Sequence, residues 1–367
     1  MKRVILTLAS VLLYSAAAFA QSMDFHVYSR LDASQSLPAA NSDFKKKFNL
    51  GNSSLYLMTD GTITDRLSYD VSLNFLNRAP KGLYSKDTFF APDKGTNFIN
   101  WANLTFSISD SWSISAGKQI AYMGGWEEDP YDVEQPLDLM SQDWNNINVY
   151  LWGASVDFSP NENSIFGLQI TQSPLSGYLF ANNSPAKFAF NFNAQVGEND
   201  ENTSIARFNH AQRKEAEGVW MLTLAHKYES DNFHAWLDFT DKWSSWKFNK
   251  VRNSNIVAAL GYGFLDGELD FTLKGGYQQC NENGDYFGYG DEWNTSESLA
   301  DGSVYGITPL GIARSKGYCF AGLIASYAPT SNFKFTSHIA WNNYTRLVSA
   351  NIGILVNFDV HIFGRDE

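Results

Sequence analysis

The sequence predicts an all-β fold, a transmembrane antiparallel β-barrel with short periplasmic turns and long extracellular loops. Segments of about ten residues in which apolar and polar side chains alternate recur along the chain. The connections between these segments alternate between very short and very long. The chain also contains 11 Trp, 18 Tyr and 27 Phe, although its mean hydropathy is −0.28. A barrel places such aromatic residues on its lipid-facing surface, so the three observations favour the same fold.

The first twenty residues have the features of a secretory signal peptide. Lys2 and Arg3 precede an apolar run over residues 4–14, and residues 18–20 form a cleavage site of the A-x-A type. An N-terminal membrane anchor is the alternative, but this apolar run is too short to span a bilayer as a helix. We therefore expect residues 1–20 to be removed and residues 21–367 to form one barrel domain.

The clearest unit of the predicted barrel lies between residues 97 and 158. Residues 97–109 and 112–122 alternate in polarity around a turn at Asp110, and residues 146–158 form a third alternating segment. Because successive side chains of a strand point to opposite faces, each of these strands has one apolar and one largely polar face.

The same pattern identifies the other strands. Residues 50–59 and 66–77 are predicted to form a hairpin around Asp60-Gly61, a strong turn signal. The remaining predicted strands are residues 23–32, 164–173, 188–196, 204–210, 218–228, 233–242, 254–264, 268–278, 317–327, 333–342 and 346–363. Fourteen strands are clear, and the hairpin within residues 188–210 raises the number to sixteen, which we favour because a strongly patterned strand would otherwise lie idle in a long loop. Either number is even and places both termini in the periplasm.

Three short motifs carry a family resemblance. They are Trp101-Ala102-Asn103-Leu104-Thr105-Phe106, Gly117-Lys118-Gln119 and Gly124-Gly125-Trp126-Glu127, and the similarity extends to residues 67–75, 268–277 and 351–354. These segments resemble the phosphate-selective porin O and P family, particularly its members from Bacteroidota. The resemblance implies a sixteen-stranded barrel in the outer membrane of a Gram-negative bacterium. It also implies a homotrimer and a loop after an early strand that folds into the pore.

The connection over residues 123–145 has the position of that pore-constricting loop, and it is acidic. We predict constriction residues among its carboxylates, which are Glu127, Glu128, Asp129, Asp132, Glu134 and Asp138, with Asp143 further along. Acidic groups in a narrow aqueous channel favour cations and repel a multivalent anion, which argues against phosphate selectivity. The alternative is a surface loop whose carboxylates are solvated or bind divalent cations together with lipopolysaccharide.

Lys118 departs from the alternation of its strand. If Trp112, Ile114 and Ala116 face lipid, strict alternation places Lys118 there as well, at a cost of about 2–4 kcal/mol near the bilayer midplane. A β-bulge at Gly117 shifts the register by one residue. We therefore predict this bulge, which turns Lys118 toward an oligomer interface or toward the pore as a constriction residue that faces the acidic loop.

The inward-facing charges assigned from the alternation have both signs. The predicted pore-lining residues are Arg30, Asp70, Asp157, Asp238, Asp270, Lys274 and Lys334. Family members that select phosphate line the channel with lysine and arginine, so this mixed lining departs from the family pattern. The net charge of −12 excludes a basic nucleic-acid-binding surface, and no nucleic-acid partner is expected.

Cys280 and Cys319 bracket the long outer loop of residues 279–316. In an oxidising compartment they are candidates for a disulfide that pins this loop, and two free thiols in mismatched register are the alternative. The loop also carries aromatic residues among acids, which are Tyr286, Phe287, Tyr289, Trp293 and Tyr305. Such residues can stack on sugars, so a carbohydrate port is one interpretation and a packed outer lid is the other.

The six histidines are scattered, and the sequence contains no recognisable Ser-His or Asp-His constellation and no metal-binding spacing such as HExxH. We therefore expect no enzyme activity, no cofactor and no metal. The predicted function is an outer-membrane porin, a water-filled channel for passive diffusion of small hydrophilic or ionic solutes, surrounded by lipids and lipopolysaccharide. A non-conducting structural or ligand-binding barrel, including a carbohydrate-binding one, is the alternative.

Overall fold

The chain closes into a β-barrel. The computed structural model describes residues 21–37, 47–49, 53–76, 99–128, 136, 139–141, 143–144, 149–174, 187–198, 201–212, 218–243, 254–279, 318–343 and 348–363. Within these ranges every strand pairs antiparallel with its neighbours, and the first strand pairs with the last from Met23–Phe363 to Leu37–Val348. The predicted barrel of sixteen long strands is confirmed.

The strands are bounded as follows. They are β1 (Met23–Leu37), β2 (Lys47–Asn49), β3 (Ser54–Thr64), β4 (Leu67–Leu76), β5 (Ile99–Ser109), β6 (Trp112–Ile120), β7 (Tyr150–Asn161), β8 (Ser164–Gln172), β9 (Phe188–Glu198), β10 (Asn202–Ala211), β11 (Val219–Glu229), β12 (Phe233–Trp243), β13 (Asn255–Phe264), β14 (Leu269–Gln278), β15 (Tyr318–Thr330), β16 (Phe333–Asn342) and β17 (Val348–Phe363). The three-residue β2 pairs with β1 beyond the end of β3, so it lengthens that ladder without adding a full strand to the barrel.

The two ends of the barrel differ in the length of their connections. The turns from β3 to β4, β5 to β6 and onward through β15 to β16 are short, and both the start of β1 and the end of β17 lie at this end. The connections at the other end are longer, up to the segment between β14 and β15. We call the two ends the short-turn end and the long-loop end.

The outer surface of the barrel is apolar. Leu31, Leu168 and Ile352 are 60%, 65% and 69% exposed, while the residues beside them in each strand are buried or polar. In β13 the outward Ile256 and Leu260 alternate with buried inward positions along the whole strand. A bilayer covers such a surface at little cost because lipid tails are as apolar as these side chains. Among the described residues no helix is long and apolar enough to span a membrane.

Aromatic rings form a girdle on the outer surface near the short-turn end. Trp112 stacks on Phe158 with ring centroids 4.6 Å apart, and Phe333 meets Phe335 edge-on at 4.8 Å. Further pairs of the girdle are Tyr228–Phe233, Tyr262–Phe264, Phe264–Phe271 and Tyr327–Phe335. Such amphipathic rings favour the level of the lipid headgroups.

The predicted turn at Asp60-Gly61 is wrong. Both residues lie inside β3, paired with Asp70 and Tyr69 of β4, and the turn follows Thr64. The Thr64 hydroxyl accepts hydrogen bonds from the backbone amides of Arg66 (3.3 Å) and residue 67 (3.1 Å), which stabilises the turn there. Gly61 lets the backbone of Ser22 approach the strand closely, because a Cβ there would collide with the Ser22 carbonyl oxygen and lie 3.0 Å from the Tyr69 phenol oxygen.

Candidate pore constriction

The connection after β6 enters the barrel and lies against its inner wall. Of the predicted loop over residues 123–145, the structure describes residues 123–128, 136, 139–141 and 143–144. The wall groups that it meets belong to inward-facing positions of β8, β10, β12, β14, β15 and β16. The loop therefore follows about half of the barrel circumference, and four separate contacts hold it.

The first contact fixes the point at which the chain leaves β6. The backbone amide of Tyr122 donates to the Gln169 side chain at 2.9 Å, and the Asn209 side chain donates to the Tyr122 carbonyl at 2.6 Å. The Arg207 guanidinium donates to the carbonyl of Met123 at 2.6 Å. These wall side chains replace the strand ladder that ends at Ile120 and give the Tyr122 amide and the Tyr122 and Met123 carbonyls partners in place of water.

The second contact centres on Asp238 of β12. Its carboxylate accepts hydrogen bonds from the backbone amides of Trp126 (3.0 Å) and Glu127 (2.7 Å). The preceding Gly125 lies directly on this carboxylate, and a Cβ there would come within 2.6 Å of it. A glycine at this position is what lets the backbone approach the wall so closely.

The third contact joins Glu127 to β14. The Glu127 side chain is 1% exposed, lies 3.4 Å from the Lys274 ammonium and accepts a hydrogen bond from the Ser141 amide at 2.8 Å. Burial raises the pKa of the Glu127 carboxyl above its ordinary value, and the Lys274 charge and the Ser141 amide oppose that shift. Because Ser141 belongs to the same loop, Glu127 ties two parts of the loop to each other and to the wall.

The fourth contact is a buried ion pair between Asp143 of the loop and Lys242 of β12. The two side chains are 0% and 3% exposed. The Gln278 side chain of β14 donates to the other carboxylate oxygen of Asp143 at 2.6 Å. A buried charge pair is stable only when its remaining hydrogen-bonding atoms find partners, and Gln278 supplies one of them.

Apolar contacts accompany the polar ones. Leu139 is fully buried and packs in a notch of the wall at Gly322, where a Cβ would lie 2.5 Å from the leucine side chain. The same notch is lined by Val257, Tyr318, Phe320 and Ala340. A second cluster comprises Ala121, Met123, Met140 and Trp144 of the connection with Leu151, Val219 and Met221 of the wall. The loop and the inner wall of the barrel thus share two small hydrophobic cores.

These contacts determine where the predicted constriction residues lie. Glu127 and Asp143 are paired with wall lysines and dock the loop, and Glu128 lies 4.0 Å from Arg207. The other predicted constriction residues of the loop, Asp129, Asp132, Glu134 and Asp138, lie outside the described residues. The loop therefore does not present Glu127 and Asp143 as bare charges to the channel.

The predicted bulge at Gly117 is wrong. The ladders on both sides of β6 pass Gly117 without a register shift, with Lys118 opposite Ala102 on one side and Trp152 on the other. The shift in the β5–β6 ladder lies near the turn, between Ser107 and Ser109. Gly117 instead has a φ of +138°, and Lys118 is 3% exposed with its ammonium donating to the carbonyl of Ile99. By alternation Lys118 occupies a lipid-facing position of β6. The hydrogen bond lowers the free-energy cost of burying its ammonium there. Its part in the constriction stays a prediction.

The predicted pore-lining residues occupy two kinds of environment. Asp238 and Lys274 hold the loop, and Asp157 accepts a hydrogen bond from the Tyr122 hydroxyl at 2.6 Å. Away from the loop, Arg30 pairs with Asp32 at 2.7 Å, Asp70 accepts from the Trp101 indole at 2.6 Å, Asp270 accepts from Thr272 at 2.7 Å, and Lys334 is partly exposed. Asp238 and Lys274 therefore contact the loop itself, Asp157 contacts the residue just before it, and the other four lie elsewhere.

Several histidine–aspartate pairs lie near the short-turn end and were not predicted from the sequence. His26 contacts Asp60 and Asp359, His361 contacts Asp24, and His234 lies 3.6 Å from Asp270. The partners are far apart in sequence, up to 337 residues for His361 and Asp24. The alternation of the strands is the one sequence feature that could have indicated them. Asp24 and His26 share one face of β1, and Asp359 and His361 share one face of β17.

Cys319 is half-buried near the start of β15. Cys280 and the aromatic residues of the outer loop lie outside the described residues, so the disulfide and the carbohydrate port stay predictions. In the described part of the chain, no group of three or more His, Cys, Asp or Glu side chains is arranged to hold a metal ion.

The described barrel is similar to solved bacterial outer-membrane proteins. Pseudomonas putida OprB, in its high-pH structure, matches with a TM-score of 0.62 at 10% identity over 94% of this chain and 96% of that chain. A triple mutant of the Rh. blastica porin matches with 0.56 at 14% identity over 92% and 100%. A loop-deletion mutant of OmpT, an outer membrane protein of Vibrio cholerae, matches with 0.55 at 9% identity over 92% and 99%. No protein-family model and no curated protein matches the chain. These structures share the fold of the chain.

Proposed function

We propose that the chain is an outer-membrane porin, a water-filled channel through which small hydrophilic or ionic solutes diffuse down their concentration gradient. The observation that carries this proposal is the docked loop after β6. Asp238, Lys274 and Lys242 of the inner wall hold it inside the lumen, where it narrows the passage and acts as a size filter. The channel needs no catalytic group and no cofactor.

The proposed setting is the outer membrane of a Gram-negative bacterium. The apolar outer surface and its aromatic girdle suit contact with lipids and lipopolysaccharide. Export by the signal peptide of residues 1–20 delivers the chain to the periplasm, and because outer-membrane barrels keep their short turns on that side, the short-turn end is proposed to face the periplasm. A homotrimer and a Bacteroidota source follow from the family resemblance of the sequence motifs.

We further propose that the channel does not select phosphate. Lys242 and Lys274 form ion pairs with Asp143 and Glu127. Their positive charges, which would attract the solute in an anion-selective pore, are therefore balanced by these carboxylates. The acidic side chains Asp60, Asp270 and Asp359 keep partial exposure near the short-turn end. Fixed negative charges beside a narrow aqueous path favour cations, so we expect a modest preference for cations.

Conductance in planar lipid bilayers tests the proposal. The purified full-length protein is expected to insert as stepwise, ohmic channels, and a salt gradient is expected to give a reversal potential that indicates cation preference. The same preparation after heat denaturation is the control and is expected to give no steps. Folded protein that inserts without stable conductance would overturn the porin assignment, and clear anion preference would overturn the selectivity.

A non-conducting barrel is the second candidate, and one observation favours it. Arg30 and Asp32 face inward from β1, yet they are only 2% and 1% exposed. Other groups therefore cover this part of the inner wall, away from the docked loop. If the bilayer measurement shows no channel, a structural or carbohydrate-binding barrel becomes the better assignment.

A further inference from the structure

One histidine near the short-turn end contacts two carboxylates at once. His26 of β1 places Nδ1 2.6 Å from Asp359 of β17 and Nε2 2.7 Å from Asp60 of β3. The three residues therefore bridge the strands on either side of β1, including the pair that closes the barrel. Contacts of this length on both ring nitrogens are short, charge-assisted hydrogen bonds.

All three side chains face the lumen. Asp359 alternates with the lipid-facing Phe358 and Val360, which are 55% and 46% exposed. His26 shares the face of Arg30 in β1, and Asp60 shares the face of the buried Tyr56 and Met58. The side chains of His26, Asp60 and Asp359 are 28%, 49% and 52% exposed, so water in the lumen reaches this cluster.

The geometry determines the protonation state of His26. A neutral imidazole has one N–H donor and one acceptor nitrogen, whereas an ionised carboxylate only accepts. Two hydrogen bonds from one ring to two carboxylates thus require both nitrogens to carry a proton. His26 is therefore an imidazolium while both contacts exist, and it contributes one positive charge between two negative ones.

We propose that His26 determines ion selectivity at the short-turn mouth of the channel: its imidazolium offsets one of the two negative charges of Asp60 and Asp359 and thereby limits the preference of the mouth for cations. This inference rests on the proposed porin function. The permeant class that it concerns is small inorganic and organic ions, since neutral solutes do not sense the charge of the mouth.

The other charged groups around His26 add to the negative field. Asp24 lies on the same face of β1 and pairs with His361 of β17 at 2.7 Å. Asp70 of β4 interacts electrostatically with His26, and the Tyr69 phenol of β4 senses Asp60 and Asp24. Four carboxylates thus surround two imidazoles, and the mouth becomes more negative as the pH rises and the His26 imidazole loses its proton.

The test is the reversal potential of single channels under a salt gradient at low ionic strength, where screening is weakest. His26→Gln is expected to raise the cation-to-anion permeability ratio at acidic and neutral pH. The ratio of the unaltered protein is expected to rise with pH, and that rise is expected to be smaller in the variant. His226→Gln is the matched control, because His226 lies near the same end of β11 but on the outer face, beside Ser204 of β10.

Asp60→Asn and Asp359→Asn provide independent variants in case His26→Gln does not fold. Each is expected to lower the permeability ratio at a pH where His26 is charged. Channels that conduct normally but keep the same ratio in these variants and in His26→Gln would overturn the role of His26 and leave the porin function intact. Absence of conductance in the unaltered protein would overturn the porin function itself.

Discussion

Two regions of the inner wall contain pairs of opposite charge that serve different roles. One region docks the loop after β6, and the other surrounds the pairing of β1 with β17. On the docking wall, Lys242 and Asp143 are 3% and 0% exposed. At the closure, His26 and Asp359 are 28% and 52% exposed. Both are pairs of opposite charge at hydrogen-bonding distance. They differ in burial. The buried pair holds the loop against the wall, and the exposed pair contributes to the electric field in the lumen.

The physical reason is the cost of removing a charge from water. A buried charge that loses its partner is destabilised by several kcal/mol, so a pair such as Lys242–Asp143 locks the geometry around it. A partly exposed pair exchanges its partner for water at little cost, and its contribution to stability is about 0–1 kcal/mol. In the channel that we propose, the exposed pair acts on passing ions because it faces the lumen.

The largest effect is expected from Lys242→Met. The substitution leaves the Asp143 carboxylate buried without its cation, which is expected to weaken loop docking by about 3–5 kcal/mol. Hydrogen exchange of the Trp144 amide is expected to accelerate, and single-channel conductance is expected to rise as the loop leaves the lumen.

Two further variants control for a general loss of folding. Adding Asp143→Asn to Lys242→Met removes the stranded charge but keeps an acceptor for Gln278, so most of the docking is expected to return. Lys334→Met removes a partly exposed inward lysine of β16 and is expected to leave Trp144 exchange unchanged. Equal effects of Lys242→Met and Lys334→Met would contradict the special status of the buried pair.

A smaller effect is expected from Asp238→Ala. The backbone amides of Trp126 and Glu127 lose their common acceptor, and each unsatisfied buried donor costs about 1–3 kcal/mol. Residues near 124–128 are expected to detach, seen as faster exchange of these two amides and noisier channel currents. Asp270→Ala removes an inward aspartate that lies near the short turns, and it serves as the control. Unchanged exchange in Asp238→Ala would show that the loop docks by its apolar contacts alone.

The smallest effect on stability is expected from His26→Gln. Its ion pairs are partly exposed, so the free energy of unfolding is expected to fall by about 1 kcal/mol or less. Thermal and denaturant unfolding in detergent measure this, with His226→Gln beside it. A loss comparable to that of Lys242→Met would mean that the closure of the barrel depends on His26, and the contrast between the two walls would fail.

Strand prediction succeeded where alternation was unbroken and failed where a local signal opposed it. The Asp60-Gly61 pair is a strong turn signal, yet the strand continues through it because Asp60 keeps the inward parity of Met58 and the Ser22 backbone packs closely against the glycine. At Lys118 the error ran in the opposite direction, because an irregularity was predicted where the strand is regular. The predicted bulge assumed a lysine without a hydrogen-bond partner on the outer face. The Ile99 carbonyl of the neighbouring strand instead accepts a hydrogen bond from the Lys118 ammonium.

The site was predicted only in outline. The position and acidity of the loop after β6 are visible in the sequence, and so is the inward parity of Asp238 and Lys274. Which acid meets which base is not visible, because Glu127 and Lys274 are 147 positions apart in the chain and meet only when the barrel is closed. For the same reason the two partners of His26 could not be assigned.

The sequence by itself determined the barrel, its sixteen long strands and the two faces of its wall. Alternation with a period of two is a property of neighbouring residues and is therefore readable in one dimension. Only the tertiary structure decided which charges are buried and which face water. Burial depends on the loop folding back across strands β8 to β16, and it converts Glu127 and Asp143 from candidate filter groups into anchors of the loop.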